Sequence, residues 1–125
     1  MDNSGRCSIH DPDLARRLDE LDAAALDRLE FGVVRMDRAG TVVAYNTAEA
    51  ELSGLAAAGV VGRDFFVQVA PCTNNHLVAQ RYRDEEELDD WIDYVFTFRM
   101  RPTPVRLRLL KTPDSPHQYL VVQTV

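Results

Sequence analysis

The sequence predicts an α+β domain: a five-stranded antiparallel sheet with helices on one face and an N-terminal helical cap on the other. Three features predict it. Two β-branched runs, Phe31-Gly32-Val33-Val34-Arg35-Met36 and Thr41-Val42-Val43-Ala44-Tyr45, flank a turn that ends in glycine, Asp37-Arg38-Ala39-Gly40. A helical middle section opens at Asn46. Three further strand-like runs then close the chain, two of them alternating between apolar and polar residues.

Composition limits what such a domain can do. A chain of 125 residues with 46% hydrophobic content suits one compact unit with its own core. A formal net charge of −6 argues against a nucleic-acid surface or a polybasic membrane contact. No apolar run near the N-terminus resembles a leader, and none is long enough to span a bilayer, so a cytoplasmic protein is expected. The two cysteines are Cys7 and Cys72. A disulfide is not expected in a reducing compartment, and Cys7, set in a polar tail, is expected as a free surface thiol. His10, His76 and His117 lie far apart without zinc-ligand spacing, so no metal is expected.

In chain order, residues 1–28 are expected to form the cap and residues 29–125 the core. Asp11-Pro12 suits a helix start, with Pro12 in the first turn and Leu14, Leu18 and Leu21 at helical spacing. Asp22 can cap a second short helix carrying Ala25, Leu26 and Leu29. Neither helix would be stable alone, so both are expected to lie on the sheet. After the hairpin, Asn46 caps a helix through Glu49 to Ser53, and Gly54 ends it. A smaller helical piece is expected around 56–58, stopped by Gly59. A polar helix through Leu77, Val78 and Tyr82 follows Cys72. The acidic run 84–90 reads as a solvated loop or helix face. The closing strands are expected at 91–100, 105–109 and 119–122, the last two joined through Pro113-Asp114-Ser115-Pro116.

Chemistry concentrates at Val69-Ala70-Pro71-Cys72-Thr73. Pro71 restricts the backbone and presents Cys72 on a rigid turn at the edge of the core. A thiol held this way suits covalent attachment of a group kept inside the protein, or it is a small buried hydrophobe. Upstream, Glu49 and Ser53 are four residues apart and share one helix face, and Tyr45 ends the strand that feeds this helix. If the face turns inward, a phenol, a carboxyl and a hydroxyl converge. A carboxyl buried in apolar surroundings keeps its proton and can donate it in a hydrogen bond to an anion. Equally, Glu49 could be an ordinary surface residue and Tyr45 an amphipathic core residue.

These elements resemble a PAS domain, and within that class the photoactive yellow protein family of bacterial blue-light receptors. The resemblance runs from about Ala25 to Val125. Its strongest parts are Phe31-Gly32, Tyr45-Asn46, Ala48-Glu49, Gly62-Arg63-Asp64-Phe65-Phe66, the Cys72 turn and Met100-Arg101-Pro102-Thr103. The resemblance implies a PAS fold and a 4-hydroxycinnamic acid (p-coumaric acid) chromophore bound to Cys72 as a thioester. It implies that Tyr45 and a protonated Glu49 bond the chromophore's phenolate, and that Ser53 supports Tyr45. Val34, Leu55, Phe65, Val69, Ala70, Pro71, Phe96, Phe98 and Met100 are the expected pocket lining. Leu55 stands where the best-known members carry an arginine, and Phe98 where they carry a tyrosine.

On this resemblance the function is light reception. Isomerisation is followed by proton transfer from Glu49 and release of the cap towards a downstream signalling protein that the sequence does not name. The alternative is a PAS module that binds another ligand or a protein, with Cys72 as a buried or redox-sensing thiol. Enzyme activity is not expected: His76 lies four residues from Cys72, but no partner carboxylate or oxyanion loop accompanies it.

Overall fold

The computed structural model describes residues 7–98 and 101–125, Phe98 by its backbone alone. Its frame is one antiparallel sheet. Strands β1 (Gly32–Asp37) and β2 (Val42–Tyr45) form the expected hairpin. Strands β3 (Leu88–Phe98), β4 (Arg101–Lys111) and β5 (His117–Thr124) follow the helical section. The spatial order is β2-β1-β5-β4-β3, so the last strand of the chain pairs with the first. An irregularity at Arg35/Met36 leaves Val43 as an extra residue in β2.

Strand alternation assigns the two faces. Val34, Met36, Leu107, Leu109, Leu120 and Val122 join the cluster beneath the central helices. Val33, Ala44, Leu110, Tyr119 and Val121 join a second cluster with Ile9, Leu14, Leu18, Leu26 and Leu29 of the N-terminal segment. The two-faced arrangement is the expected one. Helix α1 (Leu14–Asp19) buries Leu14 and Leu18 completely, worth roughly 2 kcal/mol each in transfer free energy. Helix α2 (Ala23–Leu26) is capped by the Asp22 side chain, which accepts from Ala25 N at 2.9 Å.

Several boundaries differ from the sequence reading. Asp11, Pro12 and Asp13 form a turn ahead of α1, so Pro12 lies outside the helix. Helix α3 (Thr47–Ser53) starts and stops as expected. Asn46 accepts from Glu49 N, and Gly54 takes the left-handed conformation at φ 77° that ends the helix. Helix α4 (Ala57–Val60) runs through Gly59 and is not stopped there. Residues Phe65–Val69 form an unforeseen π-helical turn, in which Ala70 N bonds Phe65 O at 2.8 Å. Helix α5 (Ala79–Asp84) begins late and leaves Leu77 exposed.

The acidic run is not wholly a solvated surface. Its second half starts β3, where Leu88 is buried and Asp89 binds the Arg108 guanidinium through both oxygens at 2.9 Å. Strand β4 is longer than expected because its first residues pair with β3 alone. β5 reaches only to Val105, so Pro102 and Pro104 sit where β4 has one neighbour. Cys7 is a free thiol as expected, but it is partly buried against the N-terminal cluster and not on the surface, and burial raises its pKa.

Candidate functional site at the start of α3

Asn46 builds the site. Its Oδ1 accepts from Glu49 N at 3.1 Å, capping α3, and from Val33 N at 2.9 Å, tying the helix to β1. Its Nδ2 donates to Leu26 O at 2.9 Å and Phe31 O at 3.0 Å. One side chain therefore joins the cap, the first strand and the helix carrying the candidate residues. The capped turn points Glu49 and Ser53 inward, and both are buried.

Glu49 is fully enclosed at 0% exposure, and neither carboxyl oxygen has a hydrogen-bond partner among the described residues. Burial pushes its pKa from 4.5 to about 8, so it holds its proton at neutral pH. Gly32 makes the room: a Cβ there would collide with Glu49 Oε1. Any side chain at this position of β1 would force the Glu49 carboxyl to shift. Tyr45, 3% exposed, donates to Ser53 Oγ at 2.8 Å, and Ser53 Oγ also accepts from Leu55 N at 3.2 Å. The Tyr45 pKa is raised, first by burial and then by the nearby Glu49 charge, so the phenol stays neutral. Two neutral hydroxyl-bearing groups and a neutral carboxyl converge here in an apolar enclosure.

The expected lining residues Val34, Phe65, Val69, Ala70 and Phe96 share one buried cluster with Tyr45. Leu55 and Cys72 pack against it and are partly buried. Pro71 is exposed, on the outer side of its turn. Met100 and the Phe98 side chain lie outside the described residues.

Cys72 sits in a short 3-10 turn, Pro71–Thr73, directly after the π-helical turn. Sequence reasoning missed the two groups that hold it. The Tyr94 hydroxyl donates to Cys72 O at 2.5 Å, and Asn75 Nδ2 donates to the same oxygen at 3.0 Å and to Tyr94 Oη at 2.7 Å. Asn75 Oδ1 in turn accepts from Leu77 N and Val78 N. The available signal was weak: Tyr94 occupies the inward phase of β3, and Asn75 stands three residues after the cysteine. The site can therefore offer a fixed thiol at the edge of an aromatic cluster and, on the first turn of α3, a carboxyl without a partner among the described residues.

Among the described residues no group of three or more histidine, cysteine or carboxylate side chains could hold a metal ion, and no helix is long and apolar enough to cross a membrane.

The profile of the PAS fold matches residues 20–123. The chain is 32% identical over 116 residues to the photoactive yellow protein of Rhodothalassium salexigens, covering 90% of this chain and 93% of that one. It is 32% identical over 102 residues to the photoactive yellow protein of Halochromatium salexigens, covering 79% and 82%. Its backbone matches the photoactive yellow protein domain of the sensor histidine kinase Ppr from Rhodospirillum centenum with a TM-score of 0.78 at 34% identity, over 85% of this chain and 96% of that domain.

Proposed function

Because the chain belongs to the photoactive yellow protein family of PAS domains, we propose that it is a blue-light photoreceptor carrying 4-hydroxycinnamic acid as a thioester on Cys72. The observation that carries this reading is the neutral, fully buried Glu49 carboxyl with no partner among the described residues. A buried polar group without a partner is costly, and it is retained where something else completes its bonding. A phenolate oxygen fits, since a protonated carboxyl and a tyrosine can both donate to it. When bound, the group supplies an isomerisable double bond and an anionic acceptor.

The chain's own residues do the rest. Ser53 and Tyr45 share one hydroxyl-to-hydroxyl bond, and reversing it lets Ser53 donate while the Tyr45 proton turns inward. Tyr94 and Asn75 fix the Cys72 carbonyl and so orient the thiol's turn. Glu49 is the proton source: it is neutral at rest and lies against the backbone of β1. Loss of its proton leaves a carboxylate that no described group bonds, a cost of several kcal/mol in a domain whose whole stability is of similar size. The cap, residues 1–28, is the part that yields, and its release from the core is the signal to a downstream protein. The proposal includes a cytoplasmic, non-enzymatic sensor.

Reconstitution tests it. Purified protein mixed with activated 4-hydroxycinnamate should turn yellow and gain one cinnamoyl mass on the Cys72 peptide. Cys72→Ser should stay colourless with an unchanged circular dichroism spectrum. A colourless wild-type protein, or label found on Cys7, overturns the assignment.

A further inference from the structure

Adjoining the buried site, and sharing Tyr45, Asn46 and Leu55 with it, runs an open groove of about 590 Å³. The cap contributes Ala23, Leu26 and Asp27, and the core contributes residues of β2, α3, the connection after it and α4 with its C-cap Val61; Val43, Leu55 and Val61 are among the larger apolar groups. Val43 and Val61 are 42% and 46% exposed and lie together in this one lining. The charged residues in the lining are both carboxylates, Asp27 and Glu51, with no lysine, arginine or histidine among the lining residues. The volume suits a few side chains and its open shape suits a chain segment.

We propose that this groove docks a segment of a partner protein that carries bulky apolar side chains flanked by lysine or arginine. Charge complementarity selects that occupant: the apolar floor takes the aliphatic groups and the two carboxylates face the flanking cations. An acidic segment would be repelled, and a purely polar basic one would leave Val43, Leu55 and Val61 in water. The cap and the core each supply part of the wall. Asn46 Nδ2 bonding Leu26 O and Thr47 N bonding Asp27 Oδ1 at 2.9 Å hold those parts together. The groove is therefore complete only while α2 is docked, and its occupant favours the docked cap. That light should empty it rests on the cap release proposed above; the docking itself does not.

The test uses the full-length protein and a fluorescent twelve-residue peptide of alternating lysine and leucine, with glutamate–leucine and lysine–serine peptides as comparisons. The lysine–leucine peptide should bind, and the other two should bind at least tenfold more weakly. The double variant Val43→Ser, Val61→Ser, both surface positions, should lose tenfold or more in affinity. Glu51→Gln should lose several-fold, and Glu86→Gln, outside the groove, should lose nothing. Equal binding by the serine double variant, or by the lysine–serine peptide, overturns the proposal. Illumination of the reconstituted protein should weaken binding about tenfold. Binding that is insensitive to light but lost in the serine double variant would uphold the docking site and refute cap release.

Discussion

Glu49 makes the stability of the chromophore-free protein depend on pH in a direction that can be worked out. Its folded pKa, about 8, lies above its ordinary 4.5. The fold therefore binds this proton more tightly than the unfolded chain does. The resulting stability is fully present below about pH 4.5 and is lost as pH rises through 8. The shift corresponds to on the order of 5 kcal/mol by pH 9, since each unit is about 1.4 kcal/mol. Denaturant unfolding at pH 5, 7 and 9 should show this decline in the wild type and a much flatter profile in Glu49→Gln. Parallel profiles would mean that the carboxyl is not enclosed as described. In the reconstituted pigment the same substitution should shift absorption to longer wavelength, because an amide donates more weakly and leaves the phenolate charge freer to spread. Tyr94→Phe probes the other end of the site. It removes one of two donors to Cys72 O, at a cost of about 1 kcal/mol. Pigment should still form, but the Thr73 and Asn74 amides, which close the turn onto Ala70 O and Pro71 O, should exchange several-fold faster. Unchanged exchange there would reduce Tyr94 to a packing residue.

At the scale of elements, the cap is held by charge as well as by apolar contact. The Arg35 guanidinium, 8% exposed on the sheet, donates to Leu18 O at 2.5 Å, Leu21 O at 2.7 Å and Tyr119 Oη at 3.0 Å. Arg108 donates to Ile9 O and Asp11 O at 2.9 and 2.8 Å while paired with Asp89. Hydrogen bonds from a charged donor are among the stronger ones, about 1.5–3 kcal/mol each. Arg35→Gln should therefore loosen α1 without unfolding the sheet. Amide exchange in α1 should rise at least tenfold while β5 stays protected, and a uniform rise across both would refute a local role. These arginines also show where sequence reading stops. Alternation places Arg35 and Arg108 on the face opposite the main core, but period-two patterning cannot say whether that face is wet or covered. Leu14, Leu18 and Leu21 announced a cap; the carbonyls it presents to the arginines have no side-chain signature. The Asn46 cap, the Glu49–Ser53 spacing and the Cys72 turn were legible because each is local, within a helical turn or two. The Tyr94 bond to Cys72 spans 22 residues and the π-helical turn has no repeating pattern, so neither was. Leu88 was hidden because the carboxylates around it read as solvated, although Asp89 and Asp90 are paired with arginines across the fold.

Across the whole molecule, Asn46 links the Glu49 backbone directly to the cap. Its Oδ1 bonds the Glu49 amide and its Nδ2 bonds Leu26 O, so a shift of the first turn of α3 moves the anchor of α2 directly. Helix α2 has four residues and cannot persist without that anchor and the Asp27–Thr47 bond. Helix α1 has the two arginine clamps near its ends and is the more firmly held of the pair. Release should therefore start at α2 and spread to α1. Hydrogen exchange under illumination should show the Leu26 and Asp27 amides losing protection first, by tenfold or more, the α1 amides later or less, and the β4–β5 pairing hardly at all. Asn46→Ala should uncouple the two ends. Pigment should still form, because Glu49, Tyr45 and Cys72 remain, but α2 should already exchange fast in darkness, and the light-induced difference there should shrink about tenfold. If the variant keeps the full light-induced change in α2, the signal does not pass through Asn46. If the β3–β4 hairpin loses protection before the cap does, the pocket wall at Phe96 and Tyr94 is the moving part and the cap is a bystander.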